Sequence, residues 1–399
     1  MDEHVLVVNA GSSSIKFQVF EGGVGGPLKR RLRGQIDGIG THPRLTAKNG
    51  GGALKIDESY EPKQVKTVPD ALGVARGRLR EYFGGITPTA VGHRVVHGGP
   101  TYSAPVVISE AVVQDLTRLI PLAPLHQPNN LAPIREILAR SPEIPQVACF
   151  DTAFHRGHPE LADRYAIPTE LYAEGVRRYG FHGLSYEYIA SRLPTVAPDL
   201  AAGRVVVAHL GNGASMCAMV GGKSVESTMG FSALDGLPMG TRCGQIDPGV
   251  VLYLLSEKGM KPKDVERFLY HDCGLKGLSG LSSDVRDLLA ACTPQATFAV
   301  EFFVYRVAML AASLVAAMGG IDGFVFTAGI GENAAPIRDG VIRRLGWLGL
   351  ELDAEANAKG TGRISRASAR VPCYVIPTDE ELMIAQHTVT AVRTRVHAH

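Results

Sequence analysis

One arrangement occurs twice in this sequence, about two hundred residues apart, and it limits the available folds more than any other feature. Residues 5–8 form a short apolar run, residues 9–14 a turn of small residues, and residues 15–20 a second largely apolar run. Residues 205–210, 211–213 and 214–220 repeat the plan around Gly211, Asn212 and Gly213. Short apolar runs broken by Gly and Asn read as hairpins rather than helices. Two copies imply two domains built on one plan and facing each other across a cleft. A chain of 399 residues also exceeds what a single core serves well.

The remaining segments fill in this frame. Residues 34–55 are glycine-rich and predict exposed hairpin turns. Residues 69–83 and 109–120 carry helical spacing. Residues 121–130 hold three prolines and two asparagines, which predicts a rigid loop before a helix over 131–138. Residues 147–150 read as a strand ending at Asp151. In the second half the pattern predicts a long buried helix over 296–318, a buried strand over 324–327 and an amphipathic helix over 336–345. A strand over 373–376 and a closing helix over 382–395 follow. Hairpin groups followed by strand–helix alternation predict an α/β fold with mixed sheets. The expected domains are residues 1–150 plus about 383–399, and residues 151–382.

Charge and cysteine usage exclude several classes. Lys and Arg number 41 against 39 Asp and Glu, a net charge of +2, which argues against a dedicated nucleic-acid binder. Asp2 and Glu3 before the first apolar run are the opposite of a secretory signal. The longest apolar stretch, residues 307–318, is too short to span a bilayer, so no membrane partner is expected. Six cysteines lie far apart without a Cys-x-x-Cys pair, which fits a reducing cytoplasm better than a disulfide scaffold or zinc site.

The turn from Asn9 to Lys16 carries the first chemistry. Small residues expose backbone N–H groups and the hydroxyls of Ser12 and Ser14, and Lys16 stands beside them, a setting for phosphate oxygens. It is no Walker loop, because Gly-Lys-[Ser/Thr] before a helix is absent. A hairpin turn that merely tolerates small residues is the plainer reading. Three further points strengthen the first: His209, Leu210, Gly211, Asn212 and Gly213; Asp284, Val285 and Arg286 after a flexible loop at 277–280; and Gly329, Ile330, Gly331, Glu332 and Asn333 between a buried strand and a helix. Glycines at a strand end let a flat base or ribose lie on bare backbone, and a helix start favours anionic oxygens.

Residues 9–16, 91–99, 151–155, 179–183, 209–213, 239–244, 329–333 and 378–382 resemble acetokinase (acetate kinase) family motifs from the first strand to the last helix. The resemblance implies the actin-like ATPase (ribonuclease H-like) fold, two duplicated domains with mixed sheets flanked by helices, and a homodimer. It implies reversible transfer of the ATP γ-phosphoryl group to acetate, giving acetyl phosphate and ADP. By the same resemblance Arg94 binds the substrate carboxylate, with Val96, Leu125 and Phe181 around its methyl group. Arg242 and His182 stabilise the transition state, and Asp151 is the active-site acid/base. Asn9 and Glu380 serve Mg²⁺, for which Mn²⁺ can substitute, while Ser12, Ser14, Lys16 and residues 209–213, 284–286 and 329–333 hold ATP.

The residue types suit these tasks. Planar guanidinium forks match carboxylate and phosphoryl oxygens, although the plainer reading of either arginine is an ion pair with Asp235 or Asp247. A histidine between glycines donates to an equatorial phosphoryl oxygen without being a nucleophile; a packed core histidine is the alternative. His209 is placed at the phosphates, His126 at the acyl site and His97 in support of Arg94. A carboxylate substrate needs no base, so Asp151 either orients an arginine, shuttles a proton, or is a turn aspartate. Asp379 stands where many relatives carry asparagine and adds negative charge beside the site. Ala233, in place of the family's proline, leaves room for propionate, and acetate is the predicted preference. A different class, an actin- or Hsp70-like nucleotide switch, needs the hairpins but not the two arginines.

Overall fold

The computed structural model describes residues 3–11, 13–22 and 26–397. The chain divides into two compact units, Met1–Ala153 with Asp379–His399, and Phe154–Thr378. The boundaries fall three residues after 150 and four residues before 382, which places Asp151 and Glu380 with the first unit rather than the second.

In the first unit β1 (Glu3–Ala10) pairs antiparallel with β2 (Ser14–Gly22), setting Asn9 opposite Lys16. β3 (Lys29–Asp37), β4 (Arg44–Asn49) and β5 (Leu54–Ser59) extend the antiparallel side, where buried Leu32 and Ile36 alternate with exposed neighbours as a half-buried strand requires. On the other side β1 runs parallel to β6 (Ala90–Val95), with a short β7 (Val106–Val107) beyond and β8 (Gln146–Phe150) between them; β8 is parallel to β6 and buried along its length. The helix Val68–Tyr82 starts in a capping box made by Thr67 and Asp70. The closing helix, Glu380–His397, packs on β1, β6 and β8. Gly92 in β6 permits this approach, since a Cβ there would press on the Thr388 hydroxyl and lie 2.7 Å from Ile384 Cγ2.

The second unit repeats the core of the first. β9 (Arg204–Leu210), β10 (Ala214–Val220) and β11 (Lys223–Ser227) form an antiparallel meander, and β12 (Gly323–Thr327) joins β9 in parallel. β13 (Gly362–Arg363) lies at the edge beside β14 (Cys373–Val375), which is parallel to β12. The order β11-β10-β9-β12-β14 therefore matches β3-β2-β1-β6-β8 in both sequence and direction. Duplication extends well beyond the two hairpins that betray it.

Four sequence expectations are corrected. The rigid loop at 121–130 is shorter: residues 120–122 make one 3-10 turn, and a helix already runs from Gln127 to Arg140. Pro128 starts that helix instead of blocking it, because a first-turn N–H has no intrahelical acceptor. The loop at 277–280 belongs to a helix, Gly274–Ser279, stopped by left-handed Gly280. Residues 329–333 do not merely precede a helix but form one, Ala328–Asn333. The long helix is Pro294–Met318, and it is not buried all round. Ala296, Ala299, Phe303, Val307, Ala311 and Leu314 form its core stripe, whereas Phe298, Tyr305 and Met309 are exposed. By length and composition it could cross a membrane, but its packing on β9, β10 and β11 is that of a core helix.

Candidate active site

The first unit gathers its charged residues at the carboxyl ends of its parallel strands. Arg94, next to last in β6, donates from Nε to Asp151 Oδ1 at 3.0 Å and from Nη2 to Oδ2 at 2.5 Å. Asp151 follows β8 directly, and its amide bonds the Val95 carbonyl, so the strand pairing sets the fork. Glu380, at the start of the closing helix, lies 3.8 Å from Arg94 Nε. Burial drives the Glu380 carboxyl up to about 7, helped by Asp151 and Glu381 and opposed by Arg94 and Lys16. Burial likewise raises Asp151 against the pull of Arg94. Desolvation works to discharge Arg94, yet the Asp151 and Glu380 carboxylates outweigh it and the guanidinium stays firmly protonated. Asp235 pairs with Arg178, and Asp247 caps the helix Pro248–Ser256, whereas the acids paired with Arg94 are Asp151 and Glu380.

Asn9 and Lys16 face each other across the first hairpin, whose turn closes through Gly11 N–H to the Ser14 carbonyl. Ser12 lies outside the described residues. Val96 is buried, and its amide donates to Asn130 Oδ1, while Asn130 Nδ2 donates to the Ala10 carbonyl. Asn130 thereby ties the end of the phosphate-type hairpin to the residues after Arg94, a link the sequence did not suggest. Leu125 is partly exposed, and His126 precedes the helix that carries Asn130. His97 accepts from Gly99 N–H and so braces its own turn. The negative charge of Asp379 is balanced by Arg30, which donates to both its oxygens at 2.7 and 2.5 Å.

The second unit holds a paired-histidine centre. His182 has φ 58°, a left-handed conformation uncommon outside glycine, at the start of the helix Gly183–Val196. Its ring stacks on that of His209 with centroids 4.2 Å apart. Nδ1 of His182 lies 2.8 Å from Ser215 Oγ, which the Tyr186 hydroxyl meets at 2.5 Å. Nδ1 of His209 lies 2.8 Å from Ser185 Oγ, which donates to Thr378 Oγ1. A Cβ on Gly213 would sit 3.3 Å from His182 Nε2, so the glycine turn opens directly under that nitrogen. Gly240 packs so closely on Asn212 that a Cβ would overlap the amide oxygen, and it lies beside the Ser283 carbonyl. A Cβ on Gly211 would reach Ala328 at 3.8 Å. Residues 182, 209–213, 240, 283 and 328 thus converge on one place.

The other expected nucleotide residues play mixed parts. Leu210 is wholly buried and offers only backbone. Asp284 caps the helix Val285–Ala291 and pairs with exposed Arg286; Val285 is core. Glu332 Oε1 accepts from Ala328 N–H and Thr378 N–H, so it shapes its own loop. Asn333 donates to the Gly329 carbonyl, and Ile330 is half-buried. Fully buried Arg338 holds that short helix from below through the Gly331 and Glu332 carbonyls and through Asn357. Arg242 donates from Nη1 to the Ala233 carbonyl at 3.0 Å and lies 5.9 Å from the Tyr270 ring centre. Phe181, next to His182, is buried.

The acetokinase family model matches residues 4–386. The chain belongs to the acetokinase family. An acetate kinase of Nitrobacter hamburgensis is 61% identical over 98% of this chain and 97% of its own length. One of Rhizobium meliloti is 58% identical over 97% and 98%. Among solved structures, an acetate kinase of Porphyromonas gingivalis superposes with TM-score 0.87 at 35% identity, covering 98% of this chain and all of that one. A propionate kinase of Francisella tularensis gives TM-score 0.90 at 37% identity over 97% and 99%. Family membership makes the chain a phosphotransferase with a carboxyl group as acceptor, on the α/β actin-like ATPase fold. The nucleotide-switch alternative falls away with it.

Proposed function

We propose that this acetokinase-family chain transfers the γ-phosphoryl group of ATP reversibly to acetate, giving acetyl phosphate and ADP by direct in-line displacement. The observation that carries the reading is the state of Arg94. Asp151 occupies its Nε–Nη2 side, which presents Nη1 to a small carboxylate in a fixed plane. Asp151 is then an orienting residue, and no general base is needed because the acid is already ionised. Val96, Leu125 and Phe181 are assigned to the methyl group by family resemblance.

Phosphoryl transfer asks for positioning and charge stabilisation more than for covalent chemistry. In this reading Tyr186 donates to Ser215 and Ser215 to His182 Nδ1, so the His182 proton stands on Nε2, beside the glycine turn, as a donor to a phosphoryl oxygen. Arg242, held by the Ala233 carbonyl, supplies positive charge for the same group. Lys16 with Ser12 and Ser14, residues 209–213, 284–286 and 329–333 receive ATP. Asn9 and Glu380 offer hard oxygen donors, and among the described residues no group of three or more His, Cys, Asp or Glu side chains could hold an ion. Such a sparse donor set fits Mg²⁺, which keeps most of its waters and takes one or two protein oxygens. When bound it neutralises the triphosphate charge, and Mn²⁺ can replace it.

A homodimer belongs to the same proposal. The helix Pro248–Ser256 buries none of its residues, and Leu252 and Tyr253 stand exposed, as do Phe298, Tyr305 and Met309. A cytoplasmic location is supported by six free cysteines.

Trapping the acyl phosphate with hydroxylamine tests the reaction. Acetate should give hydroxamate at a higher kcat/KM than propionate, and ATP turnover indifferent to any short acid would end the proposal. Arg242→Ala should lose about 10²- to 10³-fold in kcat with the fold intact; near-normal turnover removes Arg242 from the site.

A further inference from the structure

The motif that begins at Asp151 ends on a histidine to which the reaction described above gives no task. His155 is wholly buried, with Nε2 2.9 Å from the Phe181 carbonyl and Nδ1 2.7 Å from Ser224 Oγ. A carbonyl only accepts, so Nε2 carries the ring proton. Burial holds the imidazole pKa down to about 4, against the help of the Phe181 bond, so the ring is neutral and Nδ1 is an acceptor. Ser224 must then donate to His155. With its only proton committed, Ser224 Oγ accepts from His158 Nε2, 2.6 Å away, and stands 3.1 Å from Cys217 Sγ. Donation therefore runs one way: His158 to Ser224, Ser224 to His155, His155 to the Phe181 carbonyl.

That carbonyl belongs to the peptide entering His182, the residue with φ 58°. A left-handed conformation at a bulky residue is unfavourable and persists only where its surroundings over-determine it. The His155 ring also presses on Gly180, where a Cβ would lie 2.6 Å from its Cγ and Cδ2. Gly180 itself needs φ 71°. Finally, the ring meets Tyr186 edge-on at 5.6 Å, and Tyr186 holds Ser215, the partner of His182 Nδ1.

We propose that His155 is a positioning residue: as a neutral Nε2–H donor to the Phe181 carbonyl, it holds His182 in the left-handed conformation that sets the His182 Nε2 atom over the Gly213 turn. The inference rests on His182 acting as a donor to the transferring group. It assigns work to a buried ring that touches neither substrate nor nucleotide.

Kinetics and spectroscopy on the full chain test it. His155→Leu should lower kcat by about tenfold to a hundredfold through misplacement of His182, with KM for ATP within about twofold. His155→Gln keeps an N–H donor of similar reach and should recover most of the loss. In a His182→Ala background, His155→Leu should cost nothing more, because the group it positions is gone. Losses that multiply in the double variant, or a His155→Leu enzyme with unchanged kcat, would overturn the inference while leaving the role of His182 standing. Full activity of His182→Ala would instead sink the reading of the site. Should His155→Leu fail to fold, ¹⁵N imidazole spectra of the unmodified protein decide: the neutral Nε2–H form of His155 is expected, and the Nδ1–H form overturns the proposal.

Discussion

Burial of neutral imidazoles makes folding of this protein sensitive to acid. His155 is held down to about 4 by burial, opposed by its bond to Phe181 and aided by Arg156. His93, which bonds Gln146 from Nε2 in the first unit, is held down to about 4 by burial against that bond. Both start from an ordinary value of 6.5. Between about pH 6.5 and about pH 4 the unfolded chain binds protons that the folded chain refuses, so stability rises with pH across that window. Stability from these two rings is complete above it and lost as pH falls through it, on the order of a few kcal/mol per ring. Urea melts from about pH 7 to about pH 4.5 should show the midpoint dropping; a midpoint that holds steady means the rings titrate normally in the folded state.

At the scale of elements, the site depends on two close approaches. Gly92→Ala would wedge a methyl group between β6 and the closing helix that carries Glu380. About 1–3 kcal/mol of destabilisation is expected in denaturant melts, together with weaker acid binding; an unchanged melt would show that the helix can shift freely. Arg338→Met removes the guanidinium beneath Gly331 and Glu332 and leaves their carbonyls without it. KM for ATP should rise more than kcat falls, and equal effects on both would place Arg338 outside nucleotide binding. The two hairpins and the α/β alternation were legible because strand periodicity and glycine turns are local signals, whereas Arg94 and Arg242 were singled out by family resemblance and not by any local pattern. The short helix Ala328–Asn333 was not, since its start is fixed by Glu332 reaching back to Ala328 N–H and across to Thr378 N–H. Ser215, Tyr186 and His155 were hidden for a like reason: each acts through a partner distant in sequence. His155 did stand in the motif at 151–155, though without a task, and Tyr186 lies four residues after His182, about one helical turn on.

For the molecule as a whole, the exposed apolar residues of the helices Pro248–Ser256 and Pro294–Met318 predict self-association. Leu252→Glu with Tyr305→Glu should halve the mass measured by light scattering while each unit keeps its far-UV spectrum; an unaltered mass would place the dimer surface elsewhere. The split of the first unit into residues 1–153 and 379–399 has a consequence for biosynthesis. The second unit is one uninterrupted stretch and is free to fold as it leaves the ribosome, whereas the first must wait for the stretch that brings Asp379 to Arg30 and Glu380 to Arg94. Throughout that wait the two arginines lack those carboxylates and β1, β6 and β8 lack their covering helix, so a nascent chain stalled before residue 379 is the form most in need of a chaperone.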